Sequence, residues 1–156
     1  MRDELAEAYF GVDVDKKMTL MEAIVLLRRH NLLNHGELAE RAISVQSGVA
    51  QCDKNTRNID LVSGVQIKSA QVTKSVNSDY YKAHFGINTT APMLCVITNL
   101  IEEKQYYLYI PPAAHSHLSG NAINISFGTS GLFEDSTSHW WGHKVDTFKE
   151  LCELAK

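Results

Sequence analysis

The first third of the chain carries apolar residues at helical spacing. Thr19 opens a capping-box pattern, and the apolar stripe behind it predicts a helix over residues 20–33. Asn34 repeats the capping signal ahead of a second predicted helix over residues 37–47. We therefore expect the part of the chain from 1 to 48 to be helical.

The second predicted helix, which Gly48 ends, has two distinct stripes. Its core side is predicted to consist of Leu38, Ala42 and Val45. A separate polar stripe, with residues three or four apart, consists of Glu37, Glu40, Ser44 and Ser47. Because Glu40 is central in that stripe, we expect it to face a neighbouring element.

The rest of the chain carries shorter apolar segments of strand length. The run 93–98 is continuously apolar, as expected of a central strand covered on both faces. An aromatic-rich segment, 105–110, is predicted to return beside it, and 121–127 alternates as a half-buried strand does. Residues 78–84 are predicted to form a short helix, and an amphipathic helix is predicted over 144–155. This order predicts an α/β or α+β fold with a mixed central β-sheet flanked by helices.

Length and composition fit one globular domain. With 156 residues the chain is long enough to bury a core, and its 44% of hydrophobic residues is ordinary for a soluble protein. We therefore expect a single domain over residues 1–156, in which a helical N-terminal part precedes a sheet over 50–127 and a C-terminal helix.

Net charge and cysteine content indicate which classes of function and which cellular compartment fit the chain. The formal net charge of −3 gives no global basic field of the kind that a non-specific nucleic-acid coat needs. The three cysteines are widely spaced and odd in number, which favours a reduced, intracellular setting. Charged residues break up the N-terminus, and the apolar runs, of about eight residues, are far short of the ~20 needed to span a bilayer. The sequence thus predicts a soluble, cytoplasmic protein.

Residues 58–69 form two β-rich runs around a Ser63-Gly64 turn signal, which predicts a β-hairpin. A two-residue loop would place Asp60 on the apolar face of this hairpin. A three-residue loop, 62–64, with Gly64 in the left-handed conformation, buries only aliphatic residues and is therefore favoured. In this register one face carries Ile59, Leu61, Val65 and Ile67, and the other carries Asn58, Asp60, Gln66 and Lys68.

The polar face of this hairpin has the chemistry of a metal site. The Asp60 carboxylate, the Gln66 side-chain oxygen and the Ile67 main-chain carbonyl are hard donors of the kind that Mg²⁺ prefers. Lys68 lies on the same face, where it can orient or deprotonate a water or neutralise a phosphate, and Glu40 can add a carboxylate. The competing interpretation is a solvated sheet face with a cross-strand Lys–Asp pair worth ~0.2–1 kcal/mol.

These residues resemble the PD-(D/E)XK nuclease superfamily. Asp60 is followed by the run Gln66–Ile67–Lys68, which is similar to the QxK variant of Mrr-like members, and a helix with Glu40 precedes them. The resemblance covers residues 35–110 and implies a restriction-endonuclease-like core of a helix, a β-meander, another helix and a further strand.

The resemblance also implies roles. Asp60, Gln66, Ile67 and Glu40 would hold Mg²⁺, for which Mn²⁺ can substitute, and Lys68 would be the catalytic lysine. Asp53 stays open as an alternative first acid, because it would lengthen the gap before the QxK run.

The expected activity is Mg²⁺-dependent hydrolysis of DNA by a restriction-type endonuclease. A homodimer is expected, because cutting both strands needs two sites. The candidate DNA contacts are Lys54, Arg57, Lys74, His115 and His117. The alternatives are a structure-selective nuclease similar to Holliday-junction resolvases, and a binding or assembly module without catalytic activity.

A second histidine-containing segment has a simpler interpretation. His139 and His143 have a spacing that would suit a metal on a helix, but Gly142 and the intervening tryptophan pair disfavour a regular helix, and no third ligand is evident. Packing of the Trp140-Trp141 pair against the C-terminal helix is therefore favoured over a zinc site.

Overall fold

The computed structural model describes residues 19–30, 34–53, 56, 58–87, 90–117 and 121–156. The chain divides into two compact units, residues 1–33 and 34–156, which are described separately. In the first unit, helix α1 (Leu20–Arg29) begins with both halves of the predicted capping box, the Glu22 N–H to Thr19 Oγ1 and the Thr19 N–H to Glu22 Oε2. The final part of the predicted helix, residues 31–33, lies outside the described residues.

The second unit contains the sheets. Its helices and strands are α2 (His35–Ser47), β1 (Gln66–Gln71), β2 (Thr73–Lys74), β3 (Tyr81–Gly86), β4 (Met93–Asn99), β5 (Lys104–Ile110), β6 (Ala122–Ser126), β7 (Lys144–Val145) and α3 (Phe148–Glu153). Strand order in the larger sheet is β1-β4-β5-β7, with β1 and β4 parallel and the other pairs antiparallel. A smaller antiparallel sheet has the order β2-β3-β6. The fold is α+β with a mixed central sheet, as predicted.

Strand β4 lies at the centre of this unit, and all seven of its residues are buried. On one face Met93, Cys95 and Ile97 pack with the smaller sheet. On the other face Leu94 and Val96 pack with α2 and α3. The continuous apolar run therefore does mark a strand covered on both sides, as its sequence predicts. None of the described helices has the length and apolar character needed to cross a membrane.

Helix α2 has the predicted ends but not the predicted buried face. The Asn34 side chain accepts the Glu37 N–H, and Gly48 ends the helix with φ of +75°. The prediction that Val45 faces the core is wrong, because Val45 is 76% exposed while Ala39 and Ile43 are buried.

Two serine hydroxyls account for this rotation of α2. Ser44 Oγ donates to the Val49 carbonyl at 2.7 Å, and Ser47 Oγ accepts the Val49 N–H at 3.1 Å. Because these hydroxyls are satisfied by the backbone just after the helix, the polar stripe can turn inward without leaving unpaired groups. The rotation also turns Glu40, which is half-buried, toward the rest of the unit.

The prediction of a helix over residues 78–84 is wrong, because this part of the chain leads into strand β3. Ala83 and Phe85 are buried while Lys82 and His84 are exposed, which is the period of two of a strand. Strand β3 pairs along its full length with β6, a segment about 40 residues further along the chain. Pairing at that distance overrides the local helical preference.

The C-terminal helix is shorter than the predicted range of residues 144–155. Lys144 and Val145 form β7 against β5, and α3 begins after Thr147, whose side chain accepts the Glu150 N–H at 3.1 Å. The buried side of α3 is formed by Leu151 and Cys152, as predicted.

The tryptophan pair packs elsewhere than predicted. Trp140 is buried and Trp141 half-buried, and both belong to the core between the two sheets, whereas α3 packs on the opposite face of the larger sheet. Trp141 contacts the rings of Tyr106 and Phe133, with centroids 5.7 and 4.8 Å away. The prediction that the pair packs against the C-terminal helix is therefore wrong.

The turn of the predicted hairpin is confirmed. Gly64 has φ of +91°, its N–H donates to the Leu61 carbonyl at 2.9 Å, and the Leu61 N–H donates to the Val65 carbonyl at 3.1 Å. This is the three-residue loop with a left-handed glycine. Leu61, Val65 and Ile67 are buried in one cluster, as the favoured register requires.

The predicted pairing of the two hairpin strands is wrong. In the described part of the chain β1 pairs with β4 alone, and the Ile67 N–H bonds to the Asp60 side chain instead of to a neighbouring backbone. The left-handed φ of +67° at Asn58 and the half-buried Ile59 show that the segment before the turn does not continue as a strand.

We expect Gly64→Ala to lower the free energy of unfolding by about 1 kcal/mol. No atom lies within 4 Å of the position that the new Cβ would take, so the cost arises from the positive φ alone. Gly86→Ala is the matched control, since it is equally uncrowded and has no positive φ. Urea unfolding of both variants measures the difference, and equal stabilities would contradict the assigned turn.

Candidate active site

A cavity of about 480 Å³ lies between the first half of α2 and the segment 51–60. Its lining carries four carboxylates, from Glu37, Glu40, Asp53 and Asp60. The two acids that the sequence places on different elements, Glu40 on α2 and Asp60 ahead of β1, thus line one cavity. The alternative first acid, Asp53, lines it as well.

Asp60 is held by its main chain and by its side chain. Its carbonyl accepts the Cys52 N–H at 2.8 Å, and its N–H donates to the Val65 carbonyl at 2.9 Å. Its carboxylate Oδ2 accepts the Ile67 N–H at 2.6 Å, a short bond of the charge-assisted kind. The carboxylate therefore takes the place that a neighbouring strand would occupy at this end of β1. Its Oδ1 accepts no hydrogen bond from the residues that the structure describes.

Lys68 lies half-buried on β1, in register with Cys95 of β4. Burial raises the pKa of the Cys95 thiol to about 12, and the nearby Lys68 charge opposes that rise. Lys68 forms no ion pair with any carboxylate of the described residues. Within the described ranges, the cross-strand Lys–Asp pair of the competing interpretation is thus not formed, and Lys68 does not line the cavity either.

The pKa of the Glu40 carboxyl reflects its surroundings. Burial raises this pKa, and the carboxylates of Asp60 and Glu37 raise it further. The Gln51 side chain and the charge of Lys68 act in the opposite direction. A carboxyl with a perturbed pKa in a cleft is a feature of functional sites.

Gln66 departs from its predicted position on an accessible polar surface. Its side chain is 7% exposed, and it is not among the residues that line the cavity. Gln66 and Lys68 share the face of β1 that faces the smaller sheet, because their register partners Met93 and Cys95 do. The predicted convergence of Gln66 with Asp60 on one open face is therefore wrong, since the smaller sheet covers the start of β1.

The side-chain oxygen of Gln66 nevertheless lacks a partner. Oε1 is buried and accepts no hydrogen bond from the described part of the chain. An unsatisfied buried oxygen costs about 1–3 kcal/mol, so it is normally retained where water or a ligand completes it. Ile67 presents its N–H to Asp60, which leaves its carbonyl as the group that the resemblance assigns to a metal.

The donor set suits Mg²⁺ better than a metal that needs many protein ligands. Among the residues described, no group of three or more His, Cys, Asp or Glu side chains is arranged to hold a metal ion. Mg²⁺ is commonly held by one or two carboxylates and keeps several waters. Glu40 and Asp60 supply two carboxylates to the cavity, whereas Gln66 does not line it and is not part of this donor set.

The predicted DNA contacts that the structure describes, Lys74 and His115, do not line the cavity. Lys74 lies on β2 in the smaller sheet, 3.4 Å from Asp79, and His115 is half-buried in the 3-10 helix Pro112–His117. Lys54, Arg57 and the side chain of His117 lie outside the described residues. Arg41, which lines the cavity and pairs with Glu37 at 3.0 Å, is a basic residue that the sequence reasoning passed over.

No family model matches the chain, and no curated protein matches it at a significant level of similarity. The resemblance to PD-(D/E)XK nucleases therefore stays a prediction. Its local basis is the placement of Glu40 on α2, Asp60 before β1 and Lys68 on β1.

We expect Glu40→Gln to be more stable than the wild type at neutral and alkaline pH. Because the pKa of Glu40 is raised on folding, its stabilising contribution is complete below about pH 4.5 and is lost as pH rises through the folded-state pKa. Above that pKa the wild type keeps a partly desolvated carboxylate beside two others, which the variant lacks. The advantage in melting temperature should therefore grow as pH rises.

Thermal unfolding across a pH series without divalent cations measures this difference. Glu134→Gln, at an exposed position in the 3-10 turn Phe133–Asp135, changes the net charge equally and is the control. A Glu40→Gln advantage that is largest at acidic pH would contradict the assigned environment.

Proposed function

We propose that the chain is a Mg²⁺-dependent endonuclease that hydrolyses DNA phosphodiester bonds. The observation that carries the proposal is the shared cavity of Glu40 and Asp60. Lys68 does not line this cavity, but its charge lowers the pKa of Glu40, so the proposal needs its side chain to reach a ligand bound there. Two carboxylates that approach each other without a neutralising partner are costly, and a divalent cation removes that cost.

The residues of the chain have separate tasks in this proposal. Asp60 Oδ1 and the Glu40 carboxylate hold the ion, while the Ile67 N–H keeps Asp60 from rotating away. When bound, the ion polarises a phosphoryl oxygen and acidifies water. The Lys68 ammonium group neutralises the phosphate or holds the attacking water in line.

The architecture around the site supports the same class. The segment 50–52 pairs with 60–62 through the Gln51–Leu61 bridge, and the loop 62–64 then returns the chain to β1. Together these segments form a short meander after α2. The segment between β1 and β4 contains β2 and β3, whereas the superfamily core has a helix there. The proposal therefore rests on the site and the meander more than on the full core.

Within this class we favour a restriction-type enzyme that acts as a homodimer on duplex DNA. Among the described residues that line it, the cavity carries more acidic than basic side chains, so in the proposal the cation also makes it attractive to a phosphate.

Cleavage of supercoiled plasmid with 10-fold steps of Mg²⁺ or Mn²⁺ tests the proposal. We expect nicked and linear products with either metal, none with EDTA, and none from an Asp60→Asn, Glu40→Gln double variant. Discrete fragments from long duplex DNA indicate restriction, and preferential cutting of a four-way junction indicates a resolvase. Binding of DNA without cleavage of any form under these conditions would show a binding module and overturn the proposal.

A further inference from the structure

Arg41 is the one lysine or arginine among the described residues that line the acidic cavity. It lies there with the four carboxylates, whereas Lys68 is placed on β1 outside the lining. Because a phosphate is an anion, it needs a cationic partner in such a cavity in addition to any metal ion. Arg41 is the described side chain that is already in place for that contact.

The Arg41 side chain is held by a single contact. Its Nη2 donates to Glu37 Oε1 at 3.0 Å, one turn back along α2. The two side chains are 66% and 50% exposed, so water screens the pair and it contributes little to stability. A guanidinium group has five N–H donors. Within the described part of the chain one of them forms this bond, which leaves the others for a second acceptor.

Arg41 directly follows the candidate metal ligand Glu40 on α2. Both side chains line the cavity, but Glu40 is half-buried whereas Arg41 is exposed. Glu40 therefore lies on the inner side of the cavity and Arg41 at its opening. A DNA strand whose phosphate reaches a cation held by Glu40 and Asp60 has to pass this opening.

The chemistry of the two acceptors favours an exchange at Arg41. A phosphate matches the planar fork of a guanidinium group with two parallel hydrogen bonds, whereas Glu37 accepts one. In the free protein Glu37 neutralises Arg41 and keeps it beside the helix. Once a divalent cation offsets the carboxylates of the cavity, a phosphate can replace Glu37 at little cost, because an exposed pair is weak.

We propose that Arg41 binds a phosphate of the DNA strand at the opening of the cavity and leaves Glu37 to do so. The inference rests on the proposed function and adds to it a residue that holds the substrate. A contact at the opening is made equally in the bound substrate and in the transition state. Its loss should therefore raise KM and leave kcat unchanged.

Binding of a fluorescently labelled DNA duplex, measured by anisotropy in Ca²⁺ buffer, tests the inference; Ca²⁺ is a hard cation that carboxylate oxygens also bind. We expect Arg41→Ala to bind about 10-fold more weakly than the wild type, with a salt dependence whose slope is smaller by about 1. Arg41→Lys keeps the charge without the fork and should lie between the two. Lys149→Ala, at an exposed position of α3 outside the cavity lining, is the matched control and should bind as the wild type does.

Glu37→Gln gives a result that a purely structural role of the pair would not give. Release of Arg41 should raise DNA affinity by about 2-fold, the effect of losing an exposed i,i+4 ion pair. The gain should be smaller when Arg41→Ala is also present. Glu134→Gln removes the same charge outside the cavity and is the control. If Glu37→Gln binds as weakly as Arg41→Ala, the pair supports the structure of the site and the inference is overturned.

Steady-state cleavage with Mg²⁺ separates this inference from the proposed function. Arg41→Ala should raise KM by about 10-fold with kcat unchanged, and it should melt with the wild type because the ion pair is exposed. Cleavage by the wild type, with equal KM and equal DNA affinity in Arg41→Ala, would overturn the inference and leave the proposed function standing. A wild type that neither binds nor cleaves DNA with any divalent cation would overturn both.

Discussion

Replacing Lys68 with alanine is expected to lower the rate of Mg²⁺-dependent DNA cleavage by about 10²–10⁴-fold. The residue is half-buried, its charge acts on Glu40, and it has no carboxylate partner among the described residues. In the proposal it is therefore available to a phosphate or to the attacking water. Mn²⁺ affinity should not fall, because the lysine donates no oxygen to the ion and its positive charge opposes cation binding.

The combination of lost cleavage and retained metal binding distinguishes a catalytic role from a structural one. Lys82→Ala, at an exposed position of β3, is the matched control and should cut as the wild type does. Lys68→Arg keeps the charge but cannot deprotonate, so its residual activity shows how much of the effect is electrostatic. If Lys68→Ala retains at least half of the wild-type rate, the proposed site is wrong.

Local chemistry made parts of this fold predictable. The caps of α1 and α2, the end of α2 at Gly48 and the left-handed Gly64 each depend on a few neighbouring residues, and each is observed as predicted. The buried β4 follows equally directly from its uninterrupted apolar run. In these cases the residues that form a feature are adjacent in the sequence, so the pattern contains the information.

The errors arise where distant segments decide the outcome. Strand β3 was predicted as a helix because its partner β6 lies far along the chain. Gln66 was predicted on an open face because nothing in the hairpin indicates that a second sheet packs over the start of β1. The buried face of α2 differs from the predicted one because Ser44 and Ser47 form hydrogen bonds to Val49, which lies beyond the helix.

The same distinction between local and distant information applies to the residues of the candidate site. Glu40, Asp60 and Lys68 stand out from residue type and spacing, and Glu40 and Asp60 do line one cavity. Gln51, which also lines the cavity, was missed because it lies in a segment without periodicity and is placed by a single bridge to Leu61. A lone bridge has no sequence signature, whereas a short helix stripe or a hairpin turn does.

Two substitutions of Asp60 are expected to separate its hydrogen bond with Ile67, which is structural, from the negative charge that it supplies in the proposed reaction. Asp60→Asn keeps a side-chain oxygen for the Ile67 N–H but loses the negative charge, so it should fold normally and lose cleavage by about 10²-fold or more. Asp60→Ala should lose cleavage to the same extent. It should also be less stable than Asp60→Asn by about 1–3 kcal/mol, because the Ile67 N–H is left without its acceptor.

Urea unfolding and plasmid cleavage, measured on the same preparations, test both parts. Asp53→Asn is the control, because Asp53 is an exposed carboxylate that lines the same cavity and is the alternative first acid. Equal stability of the asparagine and alanine variants would show that the bond to Ile67 contributes little. Loss of cleavage in Asp53→Asn with activity retained in Asp60→Asn would transfer the role of the first acid to Asp53. Asp60 would then have only the structural task of completing the edge of β1.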